Sequence, residues 1–232
     1  MKKHDIVYIL KNDIRPEELK YSLRSVEQNM TYKAVWFYGG CPAEIEPDHY
    51  VRLTQHGVTK WEKVAETLKI AFRNDDLTED VWLFNDDFFI LKKMTSPQPL
   101  VQGSLAYRCQ RIKEQTNGRP SSYSEQLMRT LSVLKHNGCD RLDYALHVPM
   151  LINRRKGLEV LKRFPDVPMF RSLYGNYWRI GGTLMDDVKI QNNDDIPEKD
   201  WRFVSTSDGS FRHGRVGDYI RGQFKEPSRY EI

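Results

Sequence analysis

The sequence predicts an α/β fold built on a mostly parallel sheet flanked by helices, and three observations predict it. Short apolar runs alternate with amphipathic helical segments along residues 5–91. Those runs are near-continuous in hydrophobic residues, as strands covered on both faces are. Two adjacent aspartates, Asp86 and Asp87, interrupt the third run near its carboxyl end.

Each element has a local reason. Ile6-Val7-Tyr8-Ile9-Leu10 reads as a short buried strand. Arg15 to Asn29 reads as a helix, with Pro16 in its first turn and Leu19, Leu23 and Val26 on one face. Ala34 to Tyr38 is a second strand, stopped by Gly39-Gly40. Lys60 to Arg73 carries Trp61, Val64, Leu68 and Ala71 at helical spacing. Asp80 to Phe84 is the third strand. A strand–helix–strand–helix–strand order implies right-handed crossovers and a parallel sheet.

The second half is less regular. Ser96 to Pro120 reads as a mobile excursion or a long loop. Ser124 to Lys135 is an amphipathic helix on Leu127, Leu131 and Leu134. Asn153 to Phe164 is another, which Phe164-Pro165 ends. Acidic pairs follow at Asp186-Asp187 and Asp194-Asp195, and the tail from Ser210 to Lys225 is basic and glycine-punctuated. This half reads as a mixed α+β C-terminal extension. With no repeat or linker, residues 1–232 are expected to form a single domain.

Composition narrows the class. The chain has 232 residues, 39% hydrophobic and 12% aromatic, which suits a folded protein with a real core. No apolar run approaches the length of a membrane span, and the start leads into a strand without a signal-peptide core. Cys41, Cys109 and Cys139 are widely spaced and odd in number, which fits a reducing, cytoplasmic setting and offers neither a disulfide framework nor a zinc site. The net charge of +4 suits phosphate-bearing substrates but is far too small to imply nucleic-acid binding.

Asn85, Asp86 and Asp87 therefore concentrate the chemistry. Two carboxylates within an apolar run are costly to desolvate unless a positive charge meets them. At the carboxyl end of a parallel strand, where ligands bind, that charge is often a divalent cation shared with substrate phosphates. The plain alternative is a solvated acidic turn in a hairpin.

These residues carry a resemblance. Tyr21-Ser22-Leu23-Arg24-Ser25-Val26-Glu27 resembles the "YSLRSIE" block of the Stealth family of sugar-phosphate transferases, and Phe84-Asn85-Asp86-Asp87-Phe88-Phe89 resembles its "FNDDFF" block. His147-Val148-Pro149, with Phe170-Arg171 further on, is similar to a weaker form of its third region. Ile6 to Asp13 departs from the aspartate-rich segment that the family carries there. The same layout resembles the GT-A class of nucleotide-sugar glycosyltransferases, with a GT-A-like (Rossmann-like) central sheet, and small phage and bacterial glycosyltransferases are similar in length. The resemblance implies a nucleotide-sugar-binding half at residues 1–95 and an acceptor-side half at 96–232.

Roles follow. Transfer from a nucleotide sugar, a UDP-sugar by expectation, builds negative charge on the departing diphosphate. Mn²⁺ or Mg²⁺ held by Asp87, with Asp86 assisting, would neutralise it. Adjacent strand residues point to opposite faces, so one of the pair is expected to bind metal directly, with Asp87 favoured. Arg24 can clamp a phosphate bidentately or be a solvated helix arginine. Lys60 joins a charge to a helix N-terminus, or is simply exposed there. In a GT-A fold Tyr8 and Asn12 lie near base and ribose, although Tyr8 also reads as core. His147 can act as general base on an acceptor hydroxyl, contact phosphate, or be structural. Asp187 is a second base candidate or a solvated loop residue. The resemblance alone gives His213 the part of a late metal ligand, with Arg212 beside it on the diphosphate. The expected reaction moves a sugar to a hydroxyl of a glycan, a wall polymer or a modified DNA base. The alternatives are hexose-1-phosphate transfer and a non-catalytic carbohydrate- or nucleotide-binding module.

Overall fold

The computed structural model describes residues 3–94, 98–166 and 169–232. Its first half runs β1 (Asp5–Leu10), α1 (Pro16–Asn29), β2 (Val35–Gly39), β3 (His49–Arg52), α2 (Lys60–Arg73) and β4 (Asp80–Phe84). Then come β5 (Phe88–Ile90), β6 (Leu100–Val101), α3 (Leu105–Gln115), α4 (Ser122–His136), β7 (Met150–Asn153), α5 (Arg154–Arg163) and α6 (Phe170–Tyr177). The chain finishes with β8 (Thr183–Leu184), β9 (Lys189–Ile190), β10 (Phe203–Thr206), α7 (Asp208–His213) and α8 (Arg215–Gln223).

The fold is mixed α/β around a mostly parallel sheet. The central sheet has five strands in the order β3-β2-β1-β4-β7. The β1–β2, β2–β3 and β1–β4 pairs are parallel, and β7 joins β4 antiparallel. Residue alternation divides the core between its faces. Ile6, Tyr8, Leu10, Val35, Phe37, Trp82 and Phe84 pack with Leu19, Leu23 and Val26 of α1. Val7, Trp36, Tyr38, Val81 and Leu83 pack with α2 and α5 on the other side. Burying each large apolar side chain stabilises the fold by about 1.5–3 kcal/mol relative to leaving it exposed. Gly157 lets α5 lie against α2, because a Cβ there would sit 2.7 Å from the Phe72 ring.

The parallel strands grow outward from β1 in two directions. The chain lays β2 and β3 on one side of β1, then returns to place β4 on the other. The crevice between the carboxyl ends of β1 and β4 is thus a topological switch point, where open α/β sheets bind ligands.

The α2 boundaries match the sequence expectation, and a Thr59–Glu62 capping box explains its start. One expectation needs correction. The stretch expected as a loop or excursion contains β6 and α3, with Leu105 and Ile112 buried, although residues 95–97 lie outside the described residues. The basic tail is likewise structured. It forms α7 and α8, whose Phe211, Val216, Ile220 and Phe224 pack on Phe89 and Val204 of a second sheet, β5-β10-β9. The tail tip then returns to α1 and the segment before β3, where Tyr230 donates to Asp48 and Glu231 meets Arg24. The cysteines are free. No helix among the described residues is long and apolar enough to cross a membrane.

Candidate active site

Four segments converge at the switch point. Lys11 follows β1, Glu18 lies in the first turns of α1, Asp86 follows β4, and Asp208 and Arg212 come from α7. Together they line a cleft whose free space is about 10 Å³, roughly that of one water or ion. Two of its carboxyls are perturbed upward. Burial, aided by Asp86, Asp87 and Asp208 and opposed by the Thr206 hydroxyl, raises Glu18 to about 7. Burial and the neighbouring Asp87 raise Asp86 to about 6, with Lys11 partly offsetting them. Glu17 and the cations Lys11, Arg15 and Arg212 also line the cleft.

Asp87 faces a different environment. Its Oδ2 accepts from Lys189 Nζ at 2.8 Å and from Ser205 Oγ at 3.0 Å. Its Oδ1 is buried without a hydrogen-bond partner among the described residues. Asp87, favoured from the sequence as the metal ligand, has Lys189 as its cation in the structure. Residues 85–87 form a turn between β4 and β5, so strand alternation does not apply to them, and Lys189 already neutralises Asp87. Asp86 is the member of the pair that faces the cleft.

His147 and Asp187, separate expectations from the sequence, are brought together. Nδ1 of His147 lies 2.9 Å from each Asp187 oxygen, and the His147 backbone N–H donates to Asp187 Oδ1 at 3.1 Å. Burial alone would raise the Asp187 carboxyl. The hydrogen bond and charge of His147, with that N–H and Arg108, outweigh burial and hold it below the usual carboxylate range. Nε2 makes no hydrogen bond among the described residues, and the imidazole side chain is 32% exposed, so this nitrogen can meet a ligand.

Arg171, in the first turn of α6, holds this segment in place. Its guanidinium donates to the carbonyls of Leu146 and Val148, on either side of His147, and to Leu83 on β4. It lies over the Phe88 ring, 5.2 Å from guanidinium carbon to centroid, and burial pushes it down to about 10 against the attraction of Asp87. The dyad and the acidic turn are thereby coupled. Asp187 holds His147, Lys189 two residues on holds Asp87, and the Phe88 ring stands edge-on to His147 at 6.4 Å.

The other expected residues divide. Arg212 lies in the cleft with Asp86, its Nε 3.8 Å from Glu17. Asn12 is exposed in the turn after β1, its backbone beneath Gly40. Tyr8 is corrected to core: it is fully buried, and its hydroxyl is hydrogen-bonded to Ser22 at 2.8 Å. Arg24 is corrected to a tail clamp, paired bidentately with Glu231 at 2.7 and 2.6 Å and donating to the carbonyls of Phe224 and Lys225. Lys60 is exposed over the Trp61 ring, outside the cleft. His213 is corrected too. It is exposed at the end of α7 and does not line the cleft, although Arg212 beside it does.

Sequence reasoning missed Glu18, Asp208, Lys189 and Ser205. An acidic residue in a first helical turn, as Glu18 and Asp208 are, ordinarily complements the helix dipole, so nothing marked these two out. Among the described residues, no group of three or more His, Cys, Asp or Glu side chains is placed to hold a metal ion by itself.

No family model matches the chain, and no curated protein matches it. Among solved structures, an active-site mutant of LgtC is similar at 11% identity and a TM-score of 0.46, over 97% of this chain and 98% of that one. The glycosyltransferase GlyE of Streptococcus pneumoniae TIGR4 is similar at 11% identity and a TM-score of 0.37, over 97% of this chain and 50% of that one.

Proposed function

We propose that the chain is a metal-dependent glycosyltransferase of GT-A-like layout, moving a sugar from a nucleotide-sugar donor, a UDP-sugar, to an acceptor hydroxyl. One observation carries this reading: the His147–Asp187 dyad is tied through Lys189 and Phe88 to the acidic turn at the β1/β4 switch point. A base and a diphosphate-facing acidic cleft in one constellation suit transfer between a phosphorylated leaving group and a hydroxyl.

In this mechanism the diphosphate lies at the cleft, where Lys11 and Arg212 offset its charge. The carboxylates of Asp86 and Glu18 are hard oxygen donors beside an ion-sized space, in a cleft that Lys11, Arg15 and Arg212 also line. They fit Mg²⁺ or Mn²⁺, which commonly uses one or two carboxylates and takes further ligands from phosphates and water. Bound there, the ion would supply Lewis-acid neutralisation of the leaving group. Nε2 of His147 accepts the proton of the attacking hydroxyl as the glycosyl bond forms. Asp187 accepts the Nδ1–H bond, fixes the tautomer that leaves Nε2 free, and stabilises the imidazolium that results. Arg171 keeps the His147 segment against β4.

The test is to incubate the protein with Mn²⁺ and a panel of nucleotide sugars and identify the nucleotide released, water serving as a slow acceptor. Release of a nucleoside diphosphate, lost with chelator and in Asp86→Ala, is expected. Release of a monophosphate instead would mean transfer of the sugar phosphate. Binding without consumption, whatever the acceptor, would make the chain a binding module.

A further inference from the structure

Backbone hydrogen bonds bring the start of α3 to the His147–Asp187 dyad. The Gln102 N–H donates to the Asp143 carbonyl and the Asp143 N–H to that of Gly103, both at 2.8 Å. The Leu105 N–H donates to the Arg141 carbonyl at 2.8 Å, which ties the first turn of α3 to the same segment. The Met185 N–H donates to the Val101 carbonyl at 2.9 Å, so β8 delivers Asp187 beside the end of β6. Leu105, Arg108 and Ile112 recur at helical spacing, which places Arg108 on the stripe of α3 whose Leu105 and Ile112 are buried. A charge on a buried stripe is costly unless an opposite charge meets it. Two carboxyls do so here. Burial raises that of Asp143, with Arg108 opposing, and the same guanidinium helps to hold Asp187 down. Asp143 is 1% exposed. Its Oδ1 accepts from the Ala145 N–H at 2.9 Å, whereas its Oδ2 and Arg108 Nε are buried without a hydrogen-bond partner among the described residues.

We infer that Arg108 is a positioning residue of the dyad: shared between Asp143 and Asp187, its guanidinium supplies the positive charge that keeps the Asp187 carboxylate available to His147 Nδ1. Asp143 is the counterweight, since it draws on the same charge. The inference rests on the reading of His147 as the base, and Arg108 acts only through Asp187. Four other groups face this cluster. Tyr123 of α4, half-buried, has its hydroxyl raised by burial and by Asp143 and opposed by Arg108. Arg171 of α6 is committed to the carbonyls on either side of His147, the Phe88 ring stands edge-on, and Lys189 is committed to Asp87. Arg108 is thus the cation whose two carboxylates compete for it. Removing a positive charge beside the dyad raises the pH at which its proton leaves, and removing a negative charge lowers it.

The experiment is an NMR titration of the His147 imidazole in the full chain, its signals assigned by their loss in His147→Gln. It compares wild type, Arg108→Lys, Arg108→Gln and Asp143→Asn. Arg108→Gln is expected to raise the midpoint by about half a pH unit or more, and Arg108→Lys to keep the wild-type midpoint. Asp143→Asn is expected to move it the other way. The acidic limb of the kcat profile should follow the midpoint in each variant, with donor KM unchanged. Equal midpoints in wild type and Arg108→Gln would overturn the inference, and so would an upward shift in Asp143→Asn. If Asp143→Asn fails to fold, Arg108→Gln against Arg108→Lys decides, and equal midpoints in those two count against Arg108. The expected shifts in a chain that consumes no nucleotide sugar would uphold the placement of Arg108 and sink the transferase reading instead.

Discussion

Two carboxylate-centred regions of the molecule face opposite electrostatic problems. In the cleft at the β1/β4 switch point, Glu18 and Asp86 are raised to about 7 and about 6, because burial and neighbouring carboxylates disfavour their charge. At the dyad, Asp187 is held below the usual range, because an imidazole and a backbone N–H outweigh its burial. Both are partly buried acidic sites, and partners rather than burial separate them. Under the proposed function the first would receive a cation. The second already has its partner, His147, which would be the base in the proposed reaction.

The largest effect is expected at the acidic cleft, where the donor diphosphate would lie. Asp86→Ala should lower kcat/KM by about 10³-fold, since several kcal/mol of leaving-group stabilisation rest on the ion it would anchor. Isothermal titration should show Mn²⁺-dependent nucleoside diphosphate binding lost, and retained binding in chelator would break the comparison. Next comes the dyad. His147→Gln should cost about 10²–10⁴-fold in kcat with little change in donor KM, the size expected for a general base. Asp187→Asn should give a smaller kcat loss and a shifted pH profile. A kcat unchanged in both variants would return the dyad to a purely structural part.

Smaller effects separate scaffold from site. Arg24→Ala removes the guanidinium from Glu231, which keeps only Ser228 as donor, and from two tail carbonyls, so stability should fall by about 2 kcal/mol in urea unfolding. Donor affinity should be unchanged, because this arginine clamps the tail. Glu18→Gln sharpens the cleft side. A carboxyl whose folded pKa is raised binds its proton more tightly in the folded state, so it contributes stability at low pH that is lost as pH rises through about 7. The variant should therefore be more stable than wild type at pH 8 by about 1–2 kcal/mol. That gap should close toward pH 4, where wild type is protonated in both states. A pH-independent difference would mean that burial and its neighbours do not raise Glu18.

What could be read from the chain follows the range of the interactions involved. The parallel sheet rests on local patterns: apolar runs such as Val35–Tyr38 and Asp80–Phe84, the Thr59–Glu62 cap, and helical spacing in α1 and α2. Local signals were also enough to mark Asp86 and Asp87, because adjacent carboxylates in an apolar run conflict with burial wherever the run is placed. The same signals failed for α3 and for α7–α8, where tertiary packing of Leu105, Phe211 and Ile220 orders segments rich in glycine and charge.

The sequence by itself therefore determined the α/β class, three of the four parallel strands and the position of the acidic pair, whereas β3 went unread. Only the tertiary structure decided which aspartate faces the cleft. A lysine 102 residues away occupies Asp87, and no local pattern encodes a partner at that separation. It likewise joined His147 to Asp187 across 40 residues, turned Arg24 from a candidate phosphate clamp into a clamp on Glu231, and buried Tyr8 among Phe37 and Phe84. Charge partners are chosen by proximity in space, which depends on every crossover in between, whereas strands and helices are chosen by the residues within them.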